Sequence, residues 1–338
     1  MLNPYQIPFL IRYFDGIDLA VSRRLSRRVP PSETTLTQEF CALMDADTQR
    51  REKSLLFDAD ALNAALAKPG DMVDIDFRIE AHQHGPRLEA YVSQADFGLI
   101  LEYRNTVLPG FDWQAAYLMQ AKRLFPDPGG GYSVSSHFSS TSAEQQRRML
   151  DLAEILGAAA IRYWLYTPTP DGYESRSTSA IRALHTYILS RDIFDYALGL
   201  ALRDALERSG GIGAGLWITD LDMGNTAIDV HRAAFVTAHP FTWFVLQHFS
   251  PVSSHARRMP RLNVRQSGAG GLVERAAQIA IGDRGAAQAL IDELGDRARD
   301  KEFDPKTMTV LPAHSVTIRM TAGPPDGIEL PPARTTRD

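Results

Sequence analysis

Three polar residues stand where apolar strand patterning predominates, and their types could do chemistry together. Asp96 interrupts ADFGLIL, and Gln120 and Lys122 interrupt AYLMQAKRLF. An unpaired charge is costly in such surroundings, so all three call for partners. Residues two apart on a strand share a face, which puts Gln120 and Lys122 on one side and Ala121 on the other. If the two strands are neighbours, a carboxylate, an amide oxygen and an ammonium converge at one point. The two oxygens suit a hard divalent cation, Mg2+ or Mn2+. Such a metal polarises a phosphate and acidifies a bound water, while Lys122 orients that water or steadies developing charge. The chemistry implied is metal-assisted hydrolysis of a phosphodiester bond. The competing reading is an Asp96–Lys122 ion pair at a sheet edge with Gln120 exposed.

The elements that must position these residues follow from periodicity. Apolar residues at helical spacing over 5–28 predict a helix ending in SRRLSRR before Pro30 and Pro31. SETTLTQEFCALMDA predicts a second helix, with Thr35 or Thr37 as its cap. Alternation over 72–82 predicts a first strand, 88–104 a second carrying Asp96, and 115–125 a third carrying Gln120 and Lys122. A helix over 142–157, with Ser142 and Gln145 as a capping box, leads to a strand at 161–168. The last crossover can set that strand parallel to an earlier one. Further on, a long helix is expected over 177–206, a strand at 216–221, and helical stretches near 226–248 and 271–298.

The Asp96 and Gln120-Ala-Lys122 motifs, in the order helix, three strands, helix, strand, resemble the PD-(D/E)XK nuclease superfamily over about residues 33–168. That superfamily includes restriction enzymes and nuclease effectors of antiviral defence. The resemblance implies a restriction-endonuclease-like α/β fold, with a mixed sheet flanked by helices, and a Mg2+-dependent endonuclease acting on DNA, with RNA as the second choice. It implies that Asp96 and Gln120 hold the metal and that Lys122 supports the attacking water. It also implies an acid from the first helix, Glu33 or else Glu39, and makes Glu80 a further auxiliary acid. Two departures stand out. No proline precedes Asp96, and Gln120 is neutral where the standard pattern has an acid, so the metal shell needs Glu33, Glu39 or Glu80 to supply charge. The resemblance further implies a defence system with a separate sensor or partner protein. A catalytically silent nuclease fold acting as a nucleic-acid-binding or assembly subunit is the alternative.

Other constellations carry less. His82 and His84 form an HxH pair in a turn, and His231, His239 and His248 match no zinc spacing. GGIGAG at 210–215 precedes a strand instead of joining strand to helix, so it reads as a linker and not a dinucleotide loop. Asp220 and Asp222 read as a solvated turn, and Ser139, Ser140 and Ser142 near His137 make no recognisable triad. HPFTWFVLQHF reads as a buried helix or interface in preference to a base-stacking surface.

Composition bounds these readings. The chain has 338 residues, 44% hydrophobic and 23% charged, with net charge −5 and one cysteine, Cys41. That profile excludes a disulfide scaffold, a cysteine-built zinc site and wholesale disorder. No apolar run approaches a membrane span, and the N-terminal stretch lacks a signal-peptide core, so a cytoplasmic setting is expected. The negative charge argues against wrapping nucleic acid over the whole surface. Val230 to Val273 nevertheless holds no Asp or Glu but does hold Arg257, Arg258, Arg261 and Arg265, the expected phosphate contacts. The expected organisation is an N-terminal helix (1–31), a nuclease-like core (32–170), a mainly helical region (171–322) and a flexible tail (323–338). A homo-oligomer is compatible with it.

Overall fold

The computed structural model describes residues 2–67, 74–84, 95–139, 143–188, 196–250, 262–263, 271–297 and 311–324. The architecture is mixed α/β. Its strands are β1 (Asp74–Gln83), β2 (Phe97–Asn105), β3 (Trp113–Arg123), β4 (Ile161–Tyr166), β5 (Leu216–Thr219), β6 (Ala238–Pro240), β7 (Leu262–Asn263) and β8 (His314–Gly323). They form one sheet in the order β1-β8-β2-β3-β4-β5-β6, with β7 paired to β3.

The helices are α1 (Ile7–Ser22), α2 (Glu33–Leu43), α3 (Ala46–Glu52), α4 (Ala59–Leu66), α5 (Ala143–Leu156) and α6 (Ser175–Ile188). They continue with α7 (Tyr196–Ser209), α8 (Ala227–Arg232), α9 (Phe241–Phe249), α10 (Leu272–Ala280) and α11 (Arg284–Arg297). β2 and β3 pair antiparallel, and β3 and β4 pair parallel across the α5 crossover. The element order read from the motif region is therefore present.

β2 reads as a continuous apolar run because both its faces are covered. Phe97 packs on Phe40 of α2 and on Trp164 of β4, with ring centroids 5.4 and 5.1 Å away. Its neighbour Gly98 lies so close to α10 that a Cβ there would stand 2.2 Å from the Ala280 carbonyl oxygen. Phe241 of α9 joins Phe40 and Trp164 in the same aromatic core. Every residue of α9 is buried, so the aromatics of FTWFVLQHF fill the interior.

Several expectations change. No strand was expected at 314–323, yet β8 stands there and lies between the first two strands of the motif region, antiparallel to β1 and parallel to β2. Val316, Ile318, Met320 and Ala322 of β8 are buried, so a C-terminal segment completes the centre of the sheet. With β5, β6 and β7 also in the sheet, residues 171–322 are structurally continuous with 32–170 and are not simply helical. Of the expected tail, Gly323 pairs with Asp74 at the end of β8.

Helix ends differ for local reasons. Ser32, not Thr35 or Thr37, caps α2, its Oγ accepting from Thr35 N at 3.2 Å. The Thr37 hydroxyl instead donates to the Glu33 carbonyl. Residues 226–248 divide into α8, β6 and α9: Phe235, at φ +60°, lies in the break after α8, and Pro240 stands just before α9, where its missing N–H costs nothing. Residues 271–298 divide at Gly282, whose φ of +89° ends α10. Within the expected 177–206 helix the described residues carry α6 and α7, and residues 189–195 lie outside them.

Candidate active site

Register brings the motif residues together. The Phe97↔Met119 pairing sets Asp96 opposite Gln120, and Asp96 N donates to the Met119 carbonyl at 2.8 Å. Asp96 Oδ2 accepts from Gln120 Nε2 at 2.6 Å and from Ala121 N at 2.7 Å. Gln120 and Lys122 share a face of β3, and each is only 5% exposed, which excludes the edge arrangement with an exposed glutamine. Lys122 Nζ donates to Gln145 Oε1 of α5 at 3.3 Å, so the crossover helix steadies the ammonium.

Glu33 enters from the first turn of α2. Its Oε1 accepts from Arg123 N at 2.9 Å and from the Ser139 hydroxyl. The Arg123 guanidinium ties down the preceding loop through the Pro30 and Pro31 carbonyls at 3.1 and 2.8 Å. A cap, a strand N–H and a hydroxyl thus aim one carboxylate at the end of β3.

Electrostatics link these groups. Burial raises the Asp96 carboxyl to about 6; the Glu33 charge pushes the same way, while the Ala121 N–H, Lys122 and Gln120 oppose it. Two acids and one lysine therefore act on one another, and the acids are not fully neutralised. The Gln120 Oε1 atom is buried without a hydrogen-bond partner. Such an orphaned acceptor is costly unless a donor or cation meets it. Asp96 Oδ1 and Glu33 Oε2 take no part in the bonds described, so three oxygens remain to offer a cation.

These residues fit a hard divalent metal: two carboxylates and an amide oxygen are the ligand types that Mg2+ or Mn2+ accepts. Among the described residues no group of three or more His, Cys, Asp or Glu side chains is placed to hold a metal. The set here has two acids, and its third ligand is an amide, so it is not a grouping of that kind.

The remaining sequence candidates lie elsewhere. Glu80, nearly half exposed on β1, faces Arg319 at 3.8 Å and His82 at 3.9 Å and is not brought to the Asp96 cluster. β8 intervenes between its strand and β2. Glu39 faces Arg24 at 3.4 Å, which leaves Glu33 as the acid from α2. Arg257, Arg258, Arg261 and Arg265 lie outside the described residues, as do Ser140 and Ser142.

His84 bonds Ser315, His248 bonds Tyr117, and Asp220 pairs with Arg162, so these serve the fold. In the GGIGAG segment, Gly215 N donates to the buried Asp18 of α1, where a Cβ would strike Ser22 and the Thr167 carbonyl. The segment is a close-packed junction. Gln145 was read as half of a helix cap and Ser139 as a hydroxyl near His137, and neither pattern points to Lys122 or Glu33; Asp18 carried no pattern that marks it in the sequence.

No family model matches the chain, no curated protein matches its sequence, and no solved structure matches its fold. Among the described residues no helix is long and apolar enough to cross a membrane.

Proposed function

We propose that the chain is a metal-dependent nuclease that hydrolyses phosphodiester bonds in DNA. The observation that carries this reading is Asp96 bonded to Gln120 and coupled electrostatically to both Glu33 and Lys122, with a buried Gln120 oxygen left unsatisfied. A cation-binding oxygen set with an adjacent ammonium is what phosphodiester hydrolysis requires.

Asp96, Glu33 and Gln120 would hold Mg2+ or Mn2+. When bound, the metal supplies Lewis acidity and a water acidic enough to attack phosphorus. Lys122, held by Gln145, places positive charge beside the phosphoryl oxygens as they gain charge. Ser139 and Arg123 N fix Glu33, and Ala121 N fixes Asp96, so the oxygens need little reorganisation.

The test is cleavage of plasmid and linear DNA with Mg2+, Mn2+ or EDTA, for the native chain, Asp96→Asn and Lys122→Ala, with folding checked by circular dichroism. Metal-dependent cleavage, lost by about 100-fold or more in each variant, is expected. Cleavage surviving both changes overturns the proposal. DNA binding without cleavage by the native chain would mark it as a silent nuclease fold.

A further inference from the structure

Between Ser22 and Ser32 stand four arginines and no acid, in a chain whose net charge is −5. α1 ends at Ser22, so the arginines lie outside the helix in a series of turns. Ser26 N donates to the Arg23 carbonyl and Arg27 N to the Arg24 carbonyl, both at 3.3 Å. A helix dipole favours cations only within its last turn, and Arg27 and Arg28 lie beyond that reach. Arg24 faces Glu39 at 3.4 Å. Arg23, Arg27 and Arg28 are exposed and form no ion pair among the described residues.

The backbone beneath these side chains is pinned at both ends. Leu25 is buried, and its carbonyl accepts from the Tyr132 hydroxyl at 3.2 Å. At the other end the Pro30 and Pro31 carbonyls accept from the Arg123 guanidinium. The N–H of the same Arg123 holds the Glu33 carboxylate. One residue thus anchors both the basic segment and the candidate metal ligand. The five residues from Arg28 to Glu33 reach at most about 17 Å, which is about five nucleotide steps at 3.4 Å along one strand.

We propose that Arg27 and Arg28, with Arg23 beside them, form a phosphate rail that grips the backbone of the DNA strand flanking the scissile bond. This rests on the hydrolytic reading and adds how its substrate is held. Guanidinium forks match phosphate oxygens, and a pinned backbone presents them with little ordering left to do. Phosphate contacts fix register and orientation but read no base, so the grip is independent of sequence.

The experiment measures binding of a short labelled DNA duplex by fluorescence anisotropy in EDTA, where no hydrolysis occurs, from about 50 to 200 mM KCl. The native chain is compared with Arg27→Ala/Arg28→Ala and with Arg27→Lys/Arg28→Lys. Arg51→Ala/Arg78→Ala serves as control, removing the same charge from α3 and from β1, an edge strand on which α3 packs. All four positions are exposed, so the variants should fold, as their melting temperatures would verify. Each lost phosphate contact should flatten the slope of log K against log salt by about 0.9. The alanine pair should therefore lose about 1.8, and its deficit against the native chain should narrow about tenfold across that salt range. The lysine pair keeps the charge and should keep the native slope, as should the control pair.

An alanine-pair slope equal to the native one, or a change matched by the control pair, overturns the rail. Polyglutamate that competes as well as unlabelled duplex overturns its assignment to a phosphate backbone. Because the readout needs no cleavage, the two readings fail separately. A chain that cuts no DNA yet shows the flattened slope keeps the rail and refutes hydrolysis. A chain that cuts DNA with an unaltered slope does the reverse.

Discussion

Asp96 carries a charge that the metal-free fold tolerates poorly, since burial and Glu33 together outweigh the donors that face it. Its carboxyl is raised to about 6 from an ordinary value of 3.8, so the folded state binds the proton more tightly than the unfolded chain. The associated stability is full below about pH 4 and is lost as pH rises through 6. Asp96→Asn should therefore stabilise the metal-free protein at pH 7.5, by about 1–2 kcal/mol once partial solvent contact is allowed for, while abolishing cleavage. Urea unfolding at pH 7.5 and at pH 4 would show the gain at the first and not at the second. A structural ion pair with Lys122 would give the opposite sign, because removing one buried partner strands the other. The same titration governs metal binding, which needs the ionised carboxylate. The rise in melting temperature with added Mn2+ should be large at pH 7.5 and small at pH 5, with apparent affinity falling about fivefold between pH 6 and 5. A pH-independent shift would remove Asp96 from the shell.

At the scale of elements, the site depends on how closely β2 and β3 are sandwiched. α10 packs on both strands and on α5, the helix that carries Gln145 to Lys122. Gly98 permits this approach, since a methyl there would meet the Ala280 backbone and not a side chain that could swing aside. Gly98→Ala should cost about 1–3 kcal/mol as an overpacking change and loosen the support of Lys122. A lowered urea midpoint together with reduced cleavage is the expected result, and an unchanged midpoint would show that α10 can move away freely. This sandwich also explains what could be read beforehand. β2, β3, α5 and β4 were legible because a doubly buried strand and an amphipathic crossover leave dense apolar patterns, against which Asp96, Gln120 and Lys122 stand out. Glu33 was legible only as one of three acids, since the choice turns on contacts from Arg123 and Ser139 that no periodicity encodes. β8 alternates plainly in VTIRMTA, yet its place between β1 and β2 is a pairing across the whole chain, which local pattern cannot specify.

For the whole molecule, that pairing makes the C-terminal segment structural. β8 hydrogen-bonds to β1 along one edge and to β2 along the other, and Arg319 bonds Glu102 of β2 at 2.7 Å across 217 residues of sequence. Glu102 is nearly buried and also accepts from Gln114 of β3, so the link continues into the strand that bears Gln120 and Lys122. Ending the chain before Leu311 would expose the facing edges of β1 and β2 and remove the burial of Val316, Ile318, Met320 and Ala322. Each such apolar side chain contributes roughly 1–3 kcal/mol, and a domain's net stability is only about 5–15 kcal/mol. The truncated chain should therefore fail to reach a cooperative native state, as seen by loss of a sharp thermal transition and by aggregation through the open edges. A truncated chain that melts cooperatively and still cleaves DNA would show that residues before 311 close the sheet unaided. If instead β8 is required, β1 and β2 must wait for residues about 220 to 250 positions further along the chain to acquire their common neighbour, and long-range closure of this kind is slow. Refolding should then be slow in the full chain, and the Asp96 site should form no earlier than the sheet around it. Stopped-flow fluorescence of the buried Trp164, which packs on Phe97 beside Asp96, follows that step in a variant whose other tryptophans, Trp113, Trp217 and Trp243, are replaced by Phe, and a burst-phase signal of full amplitude would place the site's core ahead of β8.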